Sequence, residues 1–387
     1  MALRVALNAT PLAAPLTGIG NYIVHLGAAL AARSEVDLYS FYGGRWANDA
    51  PSSVAAGVGT SLARRFRQVI KPVVPFMRNF MWARQGMLFR RGVDRHRIEL
   101  YHEPNYVSFV TDVPIVTTIH DLSWLRYPET HPRDRVQWLE HAVPRTLTRA
   151  AAILVDSEFI RKEVLATFGV DASRIHAVPL GVAHAFRPRN ALTTASSLRT
   201  LGLAHGHYLL TVGTIEPRKN VGHVLDAYGR LPAALRERYP LVIAGAGGWR
   251  ARSLERQLQA LASRGEIRFL GRVSNEDLPC LYAGAAAFLF PSLYEGFGLP
   301  PLEAMASGVP VLMSDRASMP EIAGDAAMLI DPEQPERTAV CLEAILEDSA
   351  QRAAMIERGL RRAAIYTWET CAGRTLDVYR DVLQAVA

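Results

Sequence analysis

The chain has 387 residues, of which 49% are hydrophobic and 21% are charged, and its formal net charge is +6. This composition is typical of a soluble protein with more than one packed domain, and it excludes a disordered chain. No apolar run reaches the roughly 18 residues of a membrane-spanning helix, and the N-terminus passes into a predicted strand without the pattern of a secretory signal.

The cysteines predict neither disulfides nor a metal site. Cys280, Cys341 and Cys371 are three in number and far apart in sequence, which favours buried thiols in a reducing compartment. No His and Cys cluster has the spacing of metal ligands. We therefore expect a cytoplasmic protein with no bound metal and no cofactor.

A glycine-containing loop follows the first predicted strand. That strand, Arg4–Asn8, leads into a loop that ends in Gly18 and Gly20, and a helical pattern continues through Arg33. Glycines between a first strand and a first helix let backbone N–H groups approach a diphosphate. A G-x-G pattern alone is more often only a tight turn, so this signal is weak by itself.

Positive charge is concentrated in residues 62–97, which contain ten lysines and arginines and one acid, Asp94. Aromatic and methionine side chains lie among these arginines on predicted helices, which suits the surface of an anionic bilayer. Two other interpretations stay open. The apolar side chains pack on the domain while the arginines reach water, or the segment binds nucleic acid. We favour membrane contact on this mixture of arginine, aromatic and methionine side chains, and no nucleic-acid-binding motif accompanies the segment.

Two short buried strands of the first half are each followed by polar residues: His102 and Glu103 after the first, His120 and Asp121 after the second. The carboxyl ends of parallel strands share one edge of a sheet, where ligands bind. We predict that His102, Glu103 and Asp121 contribute to an acceptor site. A lone histidine is more often structural, but the position of His120 makes it a candidate catalytic residue.

The second half begins after an aperiodic stretch. Residues 183–207 include Pro188 and have no strong period, so we predict an interdomain linker. A strand follows at Tyr208–Val212, and then the string GTIEPRKN. In that string Arg218 and Lys219 lie between a strand end and a helix start, where two cations can bind both phosphates of a ligand and stabilise a leaving group. A solvated surface pair is the alternative.

The stretch Pro291–Ser307 holds two acids, Glu295 and Glu303, separated by seven residues that include two glycines and two prolines. A buried strand precedes it and a helix opening continues it, so both acids lie at a strand's carboxyl edge. Gly296 and Gly298 let backbone N–H groups approach a ligand, and the helix start favours phosphate. Taken singly, each acid has a simpler interpretation as a loop or helix-start carboxylate. Together these features suit a nucleotide sugar.

The string EGFGLPPLE resembles the E-x7-E motif of family 4 retaining glycosyltransferases, and the resemblance extends to GTIEPRKN, the N-terminal glycine loop and the His120–Asp121 pair. It implies that the first acid contacts the donor sugar and the second the ribose. It also implies that His120 lies beside the donor sugar and that the loop at Val273 lies near the nucleotide base. The donor-binding residues so implied are Gly18, Gly20, Arg218, Lys219, Val273, Glu295, Gly296, Phe297, Gly298, Leu299 and Glu303, and the catalytic residues are His120, Arg218, Lys219 and Glu295.

Strands alternate with helices in both halves, so we predict an α/β protein with two doubly wound, mostly parallel Rossmann-like domains. The resemblance implies the GT-B fold, in which the two domains face a cleft. The predicted boundaries are an acceptor-side domain at 1–182, the linker at 183–207, a nucleotide-sugar-binding domain at 208–366 and a C-terminal helix at 367–387 that returns to the first domain.

The resemblance implies transfer of a hexose from a nucleotide diphosphate sugar to a hydroxyl of a lipid-linked glycan, with retention of configuration and without a metal. The strings ALNATPL and TGIGNY resemble mannosyl- and rhamnosyltransferases of bacterial O-antigen and exopolysaccharide synthesis, which implies GDP-mannose or GDP-rhamnose as the donor. We expect a peripheral protein on the inner face of the membrane that binds no nucleic acid. A GT-B protein of another reaction type (a phosphorylase or a sugar-nucleotide epimerase) and a nucleic-acid-binding protein remain as alternatives.

Overall fold

The chain divides into two compact units in the computed structural model, which describes residues 2–13, 18–52, 74–247 and 252–386. Unit 1 comprises Met1–Leu122, Arg133–Gly181 and Trp368–Ala387, and unit 2 comprises Ser123–Pro132 and Val182–Thr367. The chain therefore enters unit 2 twice and returns to unit 1 for its last helix.

Unit 1 is built on a seven-stranded sheet. Its strands are β1 (Leu3–Asn8), β2 (Val36–Phe41), β3 (Trp46–Ala47), β4 (Leu100–Glu103), β5 (Ile115–Ile119), β6 (Ala152–Val155) and β7 (Ile175–Ala177). Their order in the sheet is β3-β2-β1-β4-β5-β6-β7, and all pairs are parallel except β2 with β3. Every residue of β4, β5 and β6 is buried, as expected for a parallel sheet covered on both faces.

Helices cover this sheet. Unit 1 contains the helices Gly18–Ala31, Val74–His96, Arg133–Arg149, Glu158–Phe168 and Trp368–Val386, with 3-10 turns at Thr10–Ala13 and Ala172–Arg174. The helix Glu158–Phe168 begins after Ser157, whose Oγ accepts a hydrogen bond of 3.2 Å from the N–H of Ile160 and so caps the helix. The last helix packs against Gly18–Ala31 and β6.

Unit 2 is built on a six-stranded sheet. Its strands are β8 (Leu209–Val212), β9 (Leu241–Ala244), β10 (Arg268–Gly271), β11 (Ala287–Phe290), β12 (Val311–Ser314) and β13 (Met328–Ile330). Their order is β10-β9-β8-β11-β12-β13, with every pair parallel. The helices are Ser123–Arg126, Ala191–Thr200, Val221–Gly229, Ala233–Arg238, Arg252–Ser263, Leu278–Ala283, Leu299–Ala306, Met319–Ala323, Pro335–Glu347 and Ser349–Ala364, with 3-10 turns at Pro128–Thr130 and Pro217–Lys219.

The strand orders place a topological switch point in each unit. In unit 1 the chain winds outward from β1 to β3 and then from β4 to β7 on the other side. In unit 2 it winds from β8 to β10 and then from β11 to β13. Loops diverge at the carboxyl ends of the two central strands, and this divergence opens a crevice for ligands. A ligand-binding site is therefore expected at the carboxyl ends of β1 and β4 or of β8 and β11.

The predicted fold class is confirmed, since both units are doubly wound and mostly parallel. Differences concern short elements. The stretch 183–207, predicted as a linker, contains the helix Ala191–Thr200, which begins where Asn190 Oδ1 accepts from the N–H of Thr193 at 3.0 Å. This helix buries only Thr194 and Leu198, so its sequence lacks the repeat of apolar residues that predicts a helix. Other elements that the sequence did not predict include β3 and the helices Ser123–Arg126, Ala233–Arg238, Arg252–Ser263 and Met319–Ala323.

Candidate active site

The GTIEPRKN string and the E-x7-E motif meet at the switch point of unit 2. Arg218 and Lys219 lie in the 3-10 turn that follows β8, and Glu295 lies in the loop that follows β11. Because β8 and β11 are neighbours in the sheet, side chains 76 and 77 positions apart in sequence come into contact. The structure thus brings Glu295 into contact with Arg218 and Lys219, which the sequence selected from a different motif.

These three residues, with Glu216, form a compact group that we call the cation–carboxylate cluster. Lys219 Nζ donates to Glu295 Oε1 at 2.5 Å, and Arg218 Nη1 lies 3.3 Å from Glu295 Oε2. Arg218 also donates to Glu216 Oε1 at 2.7 Å and to the Tyr294 carbonyl at 2.6 Å. The four charged side chains are only 11–15% exposed, so each charge depends on its partners.

Electrostatics keep Glu295 ionised. Burial raises the pKa of its carboxyl, but the charges of Lys219 and Arg218 outweigh burial and hold that pKa below its usual range. Two carboxylates balance two cations, so the cluster has no excess charge of its own. An incoming diphosphate would find cationic N–H donors already oriented, which is the geometry that stabilises a leaving phosphate.

Two buried serines fix the loop that carries Glu295. Ser292 Oγ donates to Glu295 Oε1 at 2.6 Å. Ser318 Oγ lies 2.9 Å from the Glu295 carbonyl and 2.8 Å from the Phe297 carbonyl. Both serines are almost fully buried, so these hydrogen bonds are shielded from water. They hold the backbone on either side of Gly296 and thereby set the position of the carboxylate.

Gly298 is glycine because of its backbone conformation. Its φ of +122° is one that residues with a side chain rarely adopt, whereas the atom nearest to an added Cβ, at 2.6 Å, is Met319 Cε at the end of a flexible side chain. Gly298 directly precedes the helix Leu299–Ala306, whose first turn contains Pro300 and Pro301, so Leu299 supplies the backbone N–H at the helix start. Gly296 and Phe297 are buried in the same loop, and Leu299 is half-buried. The stretch predicted to bind phosphate is therefore a tight turn that leads directly into a helix.

The other predicted donor residues of unit 2 lie near this edge. Glu303 is half-buried on the helix Leu299–Ala306, and burial raises the pKa of its carboxyl to about 7 against a smaller opposing effect of the Tyr282 hydroxyl. Val273 is half-buried just after β10, at the carboxyl edge two strands from β8.

In unit 1, His120 and Asp121 follow β5 as predicted. His120 Nδ1 lies 2.8 Å from Asp156 Oδ2, and Nε2 lies 2.9 Å from the Pro104 carbonyl. Asp121 is half-buried and accepts from the Tyr106 hydroxyl at 3.0 Å. His120 is 9% exposed, so it lies just below the surface of unit 1.

The predicted glycine loop of unit 1 is partly helical. Gly18 and Gly20 lie in the first turn of the helix Gly18–Ala31, with Gly18 exposed and Gly20 buried. Residues 14–17 of the loop lie outside the described residues. Gly18 is therefore the predicted glycine that a ligand could approach.

His102 is enclosed in the core of unit 1. It is 0% exposed, with Nδ1 2.6 Å from the Tyr379 hydroxyl and Nε2 2.8 Å from Thr118 Oγ1. Burial lowers its pKa to about 3, so the ring is neutral. Its ring ties the last helix to β4 and β5, and the acceptor-site role of His102 stays a prediction.

Glu103 is enclosed in the same way. It is 1% exposed and accepts from Tyr101 Oη at 2.5 Å, Asn8 Nδ2 at 2.7 Å and the N–H of Asn105 at 2.9 Å. Burial raises its pKa to about 8 although these hydrogen bonds lower it. The hydrogen bond with Asn8 joins β4 to β1, so Glu103 stabilises the switch point of unit 1. Its predicted contact with an acceptor stays a prediction.

Comparison with known proteins settles the family. The model described as "Glycosyltransferase Family 4" matches residues 16–186, and "Glycosyl transferases group 1" matches residues 203–362. The chain is 36% identical over 385 residues to "O-antigen chain mannosyltransferase B" of Escherichia coli, covering 98% of this chain and 100% of the relative. The chain belongs to the family 4 glycosyltransferases.

Other similarities agree with this assignment. A segment of 242 residues is 32% identical to "Serotype-specific mannosyltransferase WbdA" of Escherichia coli, covering 61% of this glycosyltransferase and 29% of the relative. Sucrose-phosphate synthase from Thermosynechococcus elongatus superposes with a TM-score of 0.75 at 21% identity, covering 99% and 100% of the two chains. WaaG, a glycosyltransferase of lipopolysaccharide biosynthesis, gives 0.69 at 18% identity, covering 97% and 99%. At these identities the two structures show the shared GT-B fold.

The structure also adds residues that the sequence did not select. Glu216 belongs to the cluster, Ser292 donates to its Glu295, Ser318 holds its loop, and Asp156 pairs with His120. Ser292 lies three positions before Glu295, and Asp156 directly follows a strand, but neither position has a motif of its own. Within the described ranges, no group of three or more His, Cys, Asp or Glu residues is placed to hold a metal ion.

Replacing Glu295 with Ala is expected to destabilise the ligand-free glycosyltransferase by about 3 kcal/mol, because Lys219 and Arg218 would keep buried charges without their shared carboxylate. Urea denaturation of the apo protein measures this loss. The matched control is Glu333→Ala, since Glu333 is 78% exposed and only 3.9 Å from an exposed arginine; its effect should stay within about 0.5 kcal/mol. Equal stabilities for the two variants would show that the cluster carries no buried ion-pair energy.

Proposed function

We propose that this glycosyltransferase transfers mannose from GDP-mannose to a growing lipid-linked glycan of a bacterial surface polysaccharide. The full-length relative at 36% identity is named an O-antigen chain mannosyltransferase, and WbdA is also named a mannosyltransferase. These names favour mannose over rhamnose as the transferred sugar. The guanine base is inferred from the sequence resemblance, and the donor screen below tests it.

The cation–carboxylate cluster is the observation that carries this proposal. In it, Lys219 and Arg218 contact the donor diphosphate, and the N–H of Leu299 and the dipole of the helix Leu299–Ala306 provide further positive potential. Glu295 contacts the hexose hydroxyls, and Glu303 the ribose. A carboxylate that holds two cations before the donor arrives keeps them ordered, so less conformational entropy is lost on binding.

Transfer is proposed to proceed with retention of configuration on one face of the sugar. The bond between C1 and the diphosphate oxygen breaks, and a bond from the acceptor oxygen to C1 forms. The acceptor hydroxyl gives its proton to the leaving phosphate oxygen, whose charge Lys219 and Arg218 stabilise. Because these two side chains and the helix start neutralise the leaving group, the reaction is proposed to need no metal ion.

The acceptor side is assigned to unit 1. His120 and Asp121 are the predicted residues that still lie near its surface, at the carboxyl end of β5. Here His120 contacts the donor sugar and Asp121 an acceptor hydroxyl. Gly18, exposed at the start of its helix, leaves room for a ligand because a Cβ added there meets no atom of the described residues within 4 Å.

The basic segment 62–97 is proposed to contact the anionic inner face of the membrane. Residues 62–73 lie outside the described residues, but the helix Val74–His96 shows two different faces. Trp82, Phe89 and Val93 pack in the core of unit 1, so the packing interpretation holds for them.

The opposite face of this helix is apolar and cationic. Phe80 is 61% and Met87 43% exposed, and Arg84 and Arg91 are exposed between and beyond them at intervals of three and four residues. Exposed apolar side chains flanked by arginines suit the interface of an anionic bilayer. None of the described helices is long and apolar enough to span a membrane.

Purified protein with GDP-mannose and an oligomannoside acceptor is expected to release GDP and form an α-mannosidic bond, with EDTA present throughout. NMR of the product reports the anomeric configuration, and UDP-glucose and dTDP-rhamnose serve as control donors. A β-linked product would contradict retention, and activity lost in EDTA and restored by Mg²⁺ would contradict metal independence. Release of GDP only with another acceptor class, or of another nucleotide, would contradict the substrate assignment.

Replacing Arg84, Arg91 and Arg95 with Ser should weaken binding to vesicles that contain anionic phospholipid, because each basic residue near such a surface contributes about 1 kcal/mol. Cosedimentation at rising salt measures this, and wild-type binding should fall as the Debye length shortens. The control replaces three exposed arginines of unit 2, Arg230, Arg264 and Arg361, and matches the charge change. Equal pelleting of the two variants would place the membrane contact elsewhere.

A further inference from the structure

His120 has two hydrogen-bond partners, the carboxyl of Asp156 and the carbonyl of Pro104. When Asp156 is ionised, neither partner has a proton to donate, so both act only as acceptors. Nδ1 lies 2.8 Å from Asp156 Oδ2, and Nε2 lies 2.9 Å from the carbonyl oxygen of Pro104. A neutral imidazole carries a single N–H and would satisfy one of them only. The imidazolium ion donates to both, so the geometry selects the charged form of His120.

Asp156 comes from the strand beside His120. β5 and β6 are neighbours in the sheet, and His120 and Asp156 are the first residues after them. Asp156 is 3% exposed, and its second oxygen, Oδ1, has no hydrogen-bond partner in the described part of the chain. A carboxylate buried to this degree needs a compensating cation, and His120 is in position to supply it.

We propose that Asp156 is a positioning residue that keeps His120 as an imidazolium with a fixed ring orientation for glycosyl transfer. The proposal rests on the proposed function, because the place of His120 beside the donor sugar belongs to it. An imidazolium held at both nitrogens does not act as a general base. It supplies a positive charge and, when Nε2 turns from Pro104 to a ligand, an N–H donor.

The charges that face His120 agree with this assignment. Burial disfavours the charged ring, but the charge and hydrogen bond of Asp156, the Pro104 carbonyl and the charge of Asp121 outweigh burial and raise the pKa of His120 above its usual value. His102, on the neighbouring β4, does not repel a charged His120 ring, because burial lowers the pKa of His102 to about 3 and leaves it uncharged at neutral pH.

The remaining titratable neighbours are neutral. The helix Gly18–Ala31 places the Tyr22 ring edge-on to His120 at a centroid distance of 4.8 Å, and Tyr106 lies at 6.4 Å. Burial raises the pKa of both phenols well above the usual value. From the last helix Cys371 faces Asp156, and burial raises its pKa to about 12. Asp156 and Asp121 are thus the charged groups that govern His120.

The signs of the two shifts define a pH window. The imidazolium exists below the raised pKa of His120 and is lost as pH rises through it. Burial raises the pKa of Asp156, although His120 lowers it, so the carboxylate is lost as pH falls through that value. The pair is therefore charged between the two apparent pKa values, and turnover should have an alkaline limb that reports the loss of the imidazolium.

NMR of protein labelled with ¹⁵N-histidine tests the protonation state directly, with the His120 signal assigned by its absence in His120→Asn. In the wild type both ring nitrogens of His120 should be protonated at pH 7. In Asp156→Asn the pKa should fall by roughly one to three units, the usual effect of removing a close opposite charge. Asp112→Asn, which removes an exposed carboxylate of unit 1, is the matched control and should leave the titration unchanged.

Turnover provides the second readout. Asp156→Asn should lower kcat more than it raises KM for the donor, and the alkaline limb of its pH profile should move to lower pH by the shift seen in NMR. A neutral His120 in the wild type at pH 7, or a pH profile of Asp156→Asn that matches wild type, would overturn the proposal. The NMR titration does not require activity, so it tests the protonation of His120 independently of the proposed function. Failure of the proposed function would instead appear as a lack of mannose transfer by the wild type.

Discussion

A buried carboxylate that must be neutralised governs the arrangement of unit 2. Glu295 lies in a loop fixed by Ser292 and Ser318, and its charge is held by Lys219 and Arg218 from the neighbouring strand's loop. Removing any partner leaves a poorly hydrated charge, so the loops after β8 and β11 depend on each other. The same charges that stabilise the apo cluster are those that a diphosphate would engage.

Parallel winding explains why both units concentrate polar chemistry at one edge. The winding direction reverses between β8 and β11 in unit 2, and between β1 and β4 in unit 1. The outcome differs. Unit 2 leaves the cation–carboxylate cluster partly exposed, whereas unit 1 closes its switch point with the hydrogen bond between Asn8 and Glu103. In unit 1 the polar residues near the surface come from the next strand, at His120.

Much of this could be predicted from the sequence because parallel strands are short apolar runs and the motifs lie directly after them. Arg218, Lys219 and Glu295 were selected in this way, and the structure places them in contact. His102 and Glu103 show the limit: a polar residue at a strand end points either to a ligand or into the core, and only packing distinguishes the two. Asp156 was missed because its partner lies 36 positions away. The helix within 183–207 was missed because it lacks an apolar stripe.

We propose that the cation–carboxylate cluster binds the diphosphate of the donor. Calorimetric titration of GDP into wild type and Lys219→Ala tests it most directly, with Lys162→Ala, an exposed lysine of unit 1, as the matched control. A charge-assisted hydrogen bond contributes about 1.5–3 kcal/mol, so the Lys219 variant should bind GDP at least about tenfold more weakly while the control binds as wild type does. Equal affinity for GDP in Lys219→Ala and wild type would contradict the account.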